Sequence, residues 1–280
     1  MSEKIKILGI YLDKITTEQA VEKAILQTQN EEAAYFATPN PEIILKTIDD
    51  SKFKEVINHS KLNTPDGIGL IWAAHFLNLV GKEKSKLQIL IKWLTSLASI
   101  LLNPKSLHNV LPERVTGVDL MQKTCKASAE KGIKVFLLGA QDGIAEKLKI
   151  NLEEEFESQF ITGTSSLSPI IHDEESIINQ INKSQAQILF VAYGAPTQEL
   201  WIAKNLNKLT TVKLAIGVGG AFDFLTNNKK RAPELMQKLG LEWLYRLIQE
   251  PSRIGRIFNA TIKFPIKIIS SFWNSPSSQA

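Results

Sequence analysis

Short apolar runs bounded by small residues alternate along this chain with segments whose apolar positions recur every three or four residues. The runs at 5–10, 33–38, 135–139, 160–163, 188–191 and 214–218 read as strands. Helical periodicity covers 17–29, a segment from Pro41 through Ile48, 69–79, 117–131, 143–157 and 174–183. Thr17 and Glu18 open the first of these as a cap and a first-turn acid. The runs at 188–191 and 214–218 are apolar throughout, as in parallel strands buried on both faces. Each stops at a small-residue turn. The first is Tyr193-Gly194-Ala195-Pro196-Thr197-Gln198-Glu199, and the second is Gly219-Gly220-Ala221-Phe222-Asp223.

Strand and helix alternate at the spacing of βαβ units. The expected fold is therefore α/β, a Rossmann-like mostly parallel sheet with helices on both faces. Residues 1–225 are expected to make this body, and 226–280 a basic helical C-terminal appendage. Ligands of such sheets sit beyond the carboxyl ends of the strands, where turns meet helix N-termini. A phosphate-bearing ligand is thus expected over the two glycine turns, with Gly194, Gly219, Gly220 and Asp223 as binding candidates. Tight strand-to-helix turning accounts for the same glycines, and the residues alone leave both readings open.

Two regions break the rhythm. Residues 82–112 look inserted, and within them Gln88, Lys92, Thr95, Ser96, Ser99 and Asn103 form one narrow polar stripe on a helix that is otherwise Leu, Ile, Trp and Ala. At about 17 residues with a lysine inside, that helix is short for a membrane span. It suits the plane of a membrane interface, or a contact between copies of the chain in a homo-oligomer. Residues 241–273 mix tryptophan, phenylalanine and isoleucine with Arg246, Arg253, Arg256, Lys263 and Lys267, a pattern that also suits anionic lipid.

Composition narrows the classes. The chain has 280 residues and is 44% hydrophobic, enough for one large packed body. The single cysteine, Cys125, excludes a disulfide framework or a cysteine-based zinc site; it reads as a small core residue, and a reduced compartment is the natural setting. The N-terminus lacks the long apolar segment of a signal peptide. From Thr226 onward there are nine Lys/Arg against three Asp/Glu, while the whole chain is only +4. A basic tail on a near-neutral body points to an anionic partner: membrane surface, phosphate or nucleic acid.

Asp66, in Thr64-Pro65-Asp66-Gly67, is the sharpest candidate for a general base, although a turn or helix-cap aspartate looks the same in sequence. Thr38 and Asn40, in Thr38-Pro39-Asn40-Pro41, are either ligand contacts or turn chemistry. Arg246, Arg253 and Arg256 would share a helix face, bent at Pro251, and three guanidinium groups suit a diphosphate. A solvated basic face is the alternative, and it is the expected reading of Lys229-Lys230-Arg231. No Asp-x-Asp pair is present to hold a divalent ion on a nucleotide diphosphate, and His59, His75, His108 and His172 lack metal-ligand spacing. Gly217-Val218-Gly219-Gly220 is not a full dinucleotide fingerprint, so a nucleotide-dependent oxidoreductase has little support.

These motifs resemble one family. Thr38-Pro39-Asn40-Pro41-Glu42, Pro65-Asp66-Gly67-Ile68-Gly69, Glu113-Arg114-Val115-Thr116-Gly117-Val118-Asp119-Leu120, Gly194 to Trp201, Gly217 to Asp223, Arg231-Ala232-Pro233, Gly240 to Leu247 and Pro251 to Arg256 occur in the order seen in WecG/TagA/CpsF glycosyltransferases. The likeness runs from Ile5 to Arg256 and is interrupted by 82–112. It implies an inverting, metal-independent transferase without a cofactor. Such an enzyme moves an N-acetylhexosamine-type sugar, N-acetylmannosamine or its uronic acid, from a UDP-sugar to a polyprenyl-diphosphate-linked acceptor. It implies Asp66 as the catalytic base, Thr38, Asn40, Gln198 and Arg114 as pocket residues, and Arg246, Arg253 and Arg256 as arginines that close over the diphosphate. The implied setting is cytoplasmic, peripheral to the inner face of the cell membrane, with no role for nucleic acid. A non-catalytic, membrane-peripheral nucleotide-sugar-binding protein is the competing expectation. Thr197, where the family often has lysine, and the long tail beyond Ile257 depart from the pattern.

Overall fold

The structure, a computed structural model, describes residues 2–168, 174–238 and 240–274; His172 lies outside the described residues. The run at 5–10 is not one strand. It is a hairpin of β1 (Lys4–Ile7) and β2 (Ile10–Asp13), turned by Leu8 and Gly9, whose φ angles of 49° and 89° suit a two-residue hairpin turn. The apolar Leu8 conceals that turn in the sequence. Helix α1 (Thr17–Gln27) follows, and its cap is Thr16 rather than Thr17. The Thr16 hydroxyl accepts from the Gln19 N–H (3.3 Å) while the Gln19 carboxamide accepts from the Thr16 N–H (3.1 Å), a reciprocal capping box.

The chain then runs through β3 (Ala34–Ala37), α2 (Pro41–Asp49), α3 (Ser51–His59), β4 (Leu62–Asn63), α4 (Ile68–Val80), α5 (Lys86–Leu102), α6 (Gly117–Lys131), β5 (Val135–Gly139), α7 (Ile144–Glu155), β6 (Ile161–Ser165), α8 (Glu174–Ser184), β7 (Ile188–Ala192), α9 (Thr197–Asn205) and β8 (Leu214–Gly217). The two-residue β4 is not among the expected strands, and strict alternation holds only from α6 onward. Helix α3 was not anticipated; Asp50 caps it by accepting from the Phe53 N–H (2.9 Å). Five short helices complete the described chain: α10 (Ala221–Leu225), α11 (Glu234–Lys238), α12 (Glu242–Gln249), α13 (Ile254–Phe258) and α14 (Phe264–Asn274). Pro251 opens a 3-10 turn between α12 and α13, so Arg246 stands on a different element from Arg253 and Arg256.

Six strands pair in parallel in the order β4-β3-β8-β7-β5-β6. The two central strands are those read as buried on both faces, and the alternation shows why. Ile188 and Phe190 pack with α1, α6 and α7, while Leu189 and Val191 pack with α8 and α9. Cys125 is buried in the first of these cores, and that burial raises its thiol pKa. A third core lies beyond the β4 edge, where α4 is enclosed by the hairpin, α2, α5 and α14 around Trp72, Phe76, Ile89, Phe264 and Ile268.

The inserted segment is therefore partly structural. Helix α5 turns Ile89, Trp93, Ser96 and Ile100 inward; the Trp72 indole N–H donates to the Ser96 hydroxyl (3.0 Å), and the Trp93 indole N–H to the Pro265 carbonyl (3.1 Å). Among the described residues no helix is long and apolar enough to cross a membrane.

Candidate active site

The carboxyl ends of β3, β4, β7 and β8 share one edge of the sheet, where the turns singled out above come together. Past β4 the backbone keeps step with the end of β3: the Thr64 N–H donates to the Ala37 carbonyl (3.0 Å) and the Asp66 N–H to that of Pro39 (3.0 Å). This extra pairing carries Asp66 beyond the short edge strand and sets its backbone beside Pro39, one residue before Asn40. Asn40 caps α2, its Oδ1 accepting from the Ile43 N–H (3.0 Å), with Pro41 in the first helical position. Thr38 is buried and donates its hydroxyl to the Gly217 carbonyl (3.0 Å), tying β3 to β8. In this arrangement both side chains serve the scaffold.

Gln198 is a buckle between the two glycine turns. At 2% exposure, its Oε1 accepts from the N–H groups of Gly194 (3.1 Å) and Gly219 (3.0 Å), while its Nε2 donates to Glu199 (2.8 Å). Gly194 and Gly219 have φ of 77° and 54°, backbone that favours glycine, and this brings their N–H groups to one acceptor. Those two donors are thus already engaged, and a ligand over the turns meets other groups. Gly220 is exposed at the start of α10. Burial raises the Glu199 pKa.

Charge gathers around Asp66. Arg114 reaches Glu242 on α12 (3.3 Å), and Glu242 also accepts from Arg246 (2.5 Å), whose guanidinium lies 4.6 Å from the centre of the Phe224 ring. Asp119 receives both terminal nitrogens of Arg231 (2.7 and 2.8 Å) and the Thr116 hydroxyl (2.6 Å). Asp66 itself is half-buried, and among the described residues no donor bonds its side chain. Burial pushes its pKa from 3.8 up to about 6; Arg114 and Arg246 draw it down, whereas Glu242 and Asp119 push it up. A carboxyl in this condition can take a proton near neutral pH.

The other two appendage arginines are held elsewhere. Arg253 pairs with Glu250, and Arg256 reaches back to Glu42 at the start of α2 (2.8 Å). Asp223 accepts from Asn228 (2.8 Å) and lies 3.6 Å from Lys229. It also lines a cavity of about 300 Å³ with Gln141, Ser166, Tyr193, Asn228 and Lys229, past the ends of β5, β6 and β7. Adjacent residues of α10 serve the two places: Asp223 lines the cavity, and Phe224 meets Arg246 of the Asp66 cluster. Among the described residues, no group of three His, Cys, Asp or Glu could hold a metal ion.

Sequence reasoning missed three members of this cluster. Arg231 was read as part of a solvated basic loop, but it forms the bidentate pair with Asp119, while Lys229 bridges Asp223 and Glu250 (3.4 Å). Glu242 lies inside the Gly240 to Leu247 motif but carries no assigned role there, although an acid at the start of a short helix with Arg246 one turn on is a detectable signal. Asp119 follows Thr116 at capping distance, which conceals its second use.

A family model described as "Glycosyl transferase WecG/TagA/CpsF family" matches residues 5–99 and 98–278. Among curated proteins, three relatives from Staphylococcus aureus strains MRSA252, MW2 and NCTC 8325 / PS 47 are each 28% identical over 256 residues. The alignments cover 91% of this chain and 88% of each relative. All three are named N-acetylglucosaminyldiphosphoundecaprenol N-acetyl-beta-D-mannosaminyltransferase.

Proposed function

Since the chain belongs to the WecG/TagA/CpsF glycosyltransferase family, we propose that it moves an N-acetylmannosamine-type sugar from a UDP-sugar to a polyprenyl-diphosphate-linked acceptor sugar in cell-surface glycan synthesis. The observation that carries the reading is Asp66, a half-buried carboxyl with no donor among the described residues, its pKa pushed up to about 6 by burial, and within the field of Arg114 and Arg246. The relatives' printed activity supports the sugar and the lipid-linked acceptor.

The reaction is a single displacement. The Asp66 carboxylate takes the proton of an acceptor hydroxyl as that oxygen attacks the anomeric carbon. The bond from that carbon to the β-phosphate oxygen breaks on the opposite side, so the configuration inverts and UDP leaves with the electron pair. Arg114 and Arg246 share the single acid Glu242, so this group keeps one positive charge in excess, and Arg246 is the arginine that offers it to the departing diphosphate, without calling on a metal ion. The nucleoside half fits the Asp223 cavity, and the diphosphate then crosses α10 towards Arg246. Arg253 and Arg256 are reserved for closure, which requires them to leave Glu250 and Glu42. A lipid-linked acceptor supports a working position at the inner face of the cell membrane, and the basic residues of 226–280 suit anionic headgroups there.

Incubation with candidate UDP-sugars and a short-chain lipid-diphosphate acceptor tests the reading. Transfer of N-acetylmannosamine with inverted anomeric configuration is expected. Retention of configuration, or donor hydrolysis without transfer, would overturn it.

A further inference from the structure

Helix α5 carries two apolar stripes on opposite sides. Ile89, Trp93, Ser96 and Ile100 face the third core, whereas Leu87, Ile91, Leu94, Ala98 and Leu101 face outward, with Leu94 54% exposed. Beside it, α14 buries Phe264, Ile268 and Ile269 and leaves Ile266, Lys267 and Trp273 outside, continuing from exposed Ile262 and Lys263 in the preceding turn. The two helices are joined through the Trp93–Pro265 hydrogen bond and both pack on α4. A soluble surface rarely leaves so many large apolar side chains open on neighbouring elements.

Charge says what covers them. Residues 82–112 contain Lys82, Lys84, Lys86, Lys92 and Lys105 against one acid, Glu83, which lies 3.8 Å from Lys92. Residues 251–274 contain Arg253 and Arg256, which Glu250 and Glu42 hold, and Lys263 and Lys267, with no acid of their own. Lys82, Lys84, Lys86, Lys105, Lys263 and Lys267 have no acid partner among the described residues. The cationic excess of the whole chain lies in these two segments. A second copy docking symmetrically on this face would gather these lysines from both chains, with Glu83, already beside Lys92, as the one acid in either stretch to meet them. An anionic bilayer satisfies both features, taking the apolar side chains below its headgroups and the lysines among them.

We infer that α5 and α14 form one two-helix platform lying on an anionic lipid surface, so that the inserted segment contributes membrane binding of its own beside the tail. The inference rests on the transferase reading only in that a lipid-linked acceptor brings the bilayer to the site. Deleting the insertion would strip the third core of Ile89 and Trp93, so outward substitutions are the cleaner test.

The full chain is sedimented with vesicles of phosphatidylglycerol in phosphatidylcholine and with phosphatidylcholine alone. The wild type is expected to prefer the anionic vesicles and to lose that preference in high salt. Leu87→Ser/Ile91→Ser/Leu94→Ser on α5, and separately Ile262→Ser/Ile266→Ser, are each expected to weaken partitioning by at least about 10-fold. Lys84→Glu/Lys86→Glu, which leaves the apolar side chains in place, is expected to reduce the anionic preference by about 10-fold. Far-UV circular dichroism and transfer to a water-soluble acceptor stay at wild-type levels in all three variants. Wild-type vesicle binding by both α5 variants would overturn the inference. So would an α5 change that alters only the sedimentation mass, because a second copy would then be the occupant. Failure of transfer to the soluble acceptor in the wild type would count against the catalytic reading and leave the platform result standing.

Discussion

Replacing Asp66 by asparagine should stop the chemistry and, at neutral pH, make the protein more stable. The folded structure holds the carboxyl at about 6 against an ordinary 3.8, so ionising it in place works against folding. The full difference corresponds to about 3 kcal/mol, and the water that reaches a half-buried group reduces it to about 1–3 kcal/mol. The folded state holds this proton more tightly than the unfolded chain does. Wild-type stability therefore falls as pH rises from about 4 through about 6, and asparagine escapes that loss. A chain of 280 residues unfolds with about 0.6 kcal/mol per kelvin of entropy, so the variant should melt about 2–5 °C higher above about pH 7. Below about pH 4 the two proteins should melt together. Turnover should drop by about 10²- to 10⁴-fold, the range for a lost general base. Calorimetry across pH, run beside single-turnover transfer, measures both effects. A melting gap that widens in acid would show that Asp66 is not held against ionisation. Near-wild-type turnover would remove it from the proton transfer.

The acid limb of wild-type kcat/KM should fall near pH 6, and Glu242→Gln should move it to lower pH, because the Glu242 charge now holds the Asp66 pKa up; an upward move would contradict that placement. Arg246→Ala should move the limb the other way while lowering kcat by about 10²-fold or more, read from the same pH profiles. Gln198→Ala should destabilise by about 2–4 kcal/mol in urea melts, since the Gly194 and Gly219 N–H groups lose their shared acceptor; a neutral result would show that water replaces the amide. Transfer should survive excess EDTA, and its collapse would mean that the leaving diphosphate needs a divalent cation.

How far the sequence reaches depends on the kind of information asked for. Buried central strands announce themselves through uninterrupted apolar residues, so β7 and β8, with the turns that follow, could be placed before any coordinates. Both features are local. The β1–β2 hairpin was lost because a leucine occupies a turn position, so the apolar pattern runs across a reversal of the chain. Helix α3 was lost because it follows α2 after one residue, Asp50, where polar positions mask the change of direction. The outward and inward stripes of α5 cannot be separated by hydropathy, since both are apolar and only the position of α4 and α14 tells them apart.

The site shows the same division more sharply. That Asp66, Asn40 and the glycine turns share one sheet edge follows from a parallel topology, because every strand's carboxyl end then lies on that side. Which arginine meets which acid does not follow, because the partners stand far apart in sequence and each choice is made by packing. Arg114 finds Glu242 128 residues away, and Arg231 finds Asp119 across 112. Spacing alone grouped Arg246 with Arg253 and Arg256. The fold instead separates them: Arg246 joins the Asp66 cluster through Glu242, while Glu250 and Glu42 restrain the other two. Exposed ion pairs of this kind are individually weak, about 1 kcal/mol or less, whereas arginine bonds to phosphate are charge-assisted and often bidentate. A diphosphate reaching this edge therefore competes with favourable odds for Arg256, the most exposed of the three, and poorly for Arg114, whose pairing with Glu242 is enclosed.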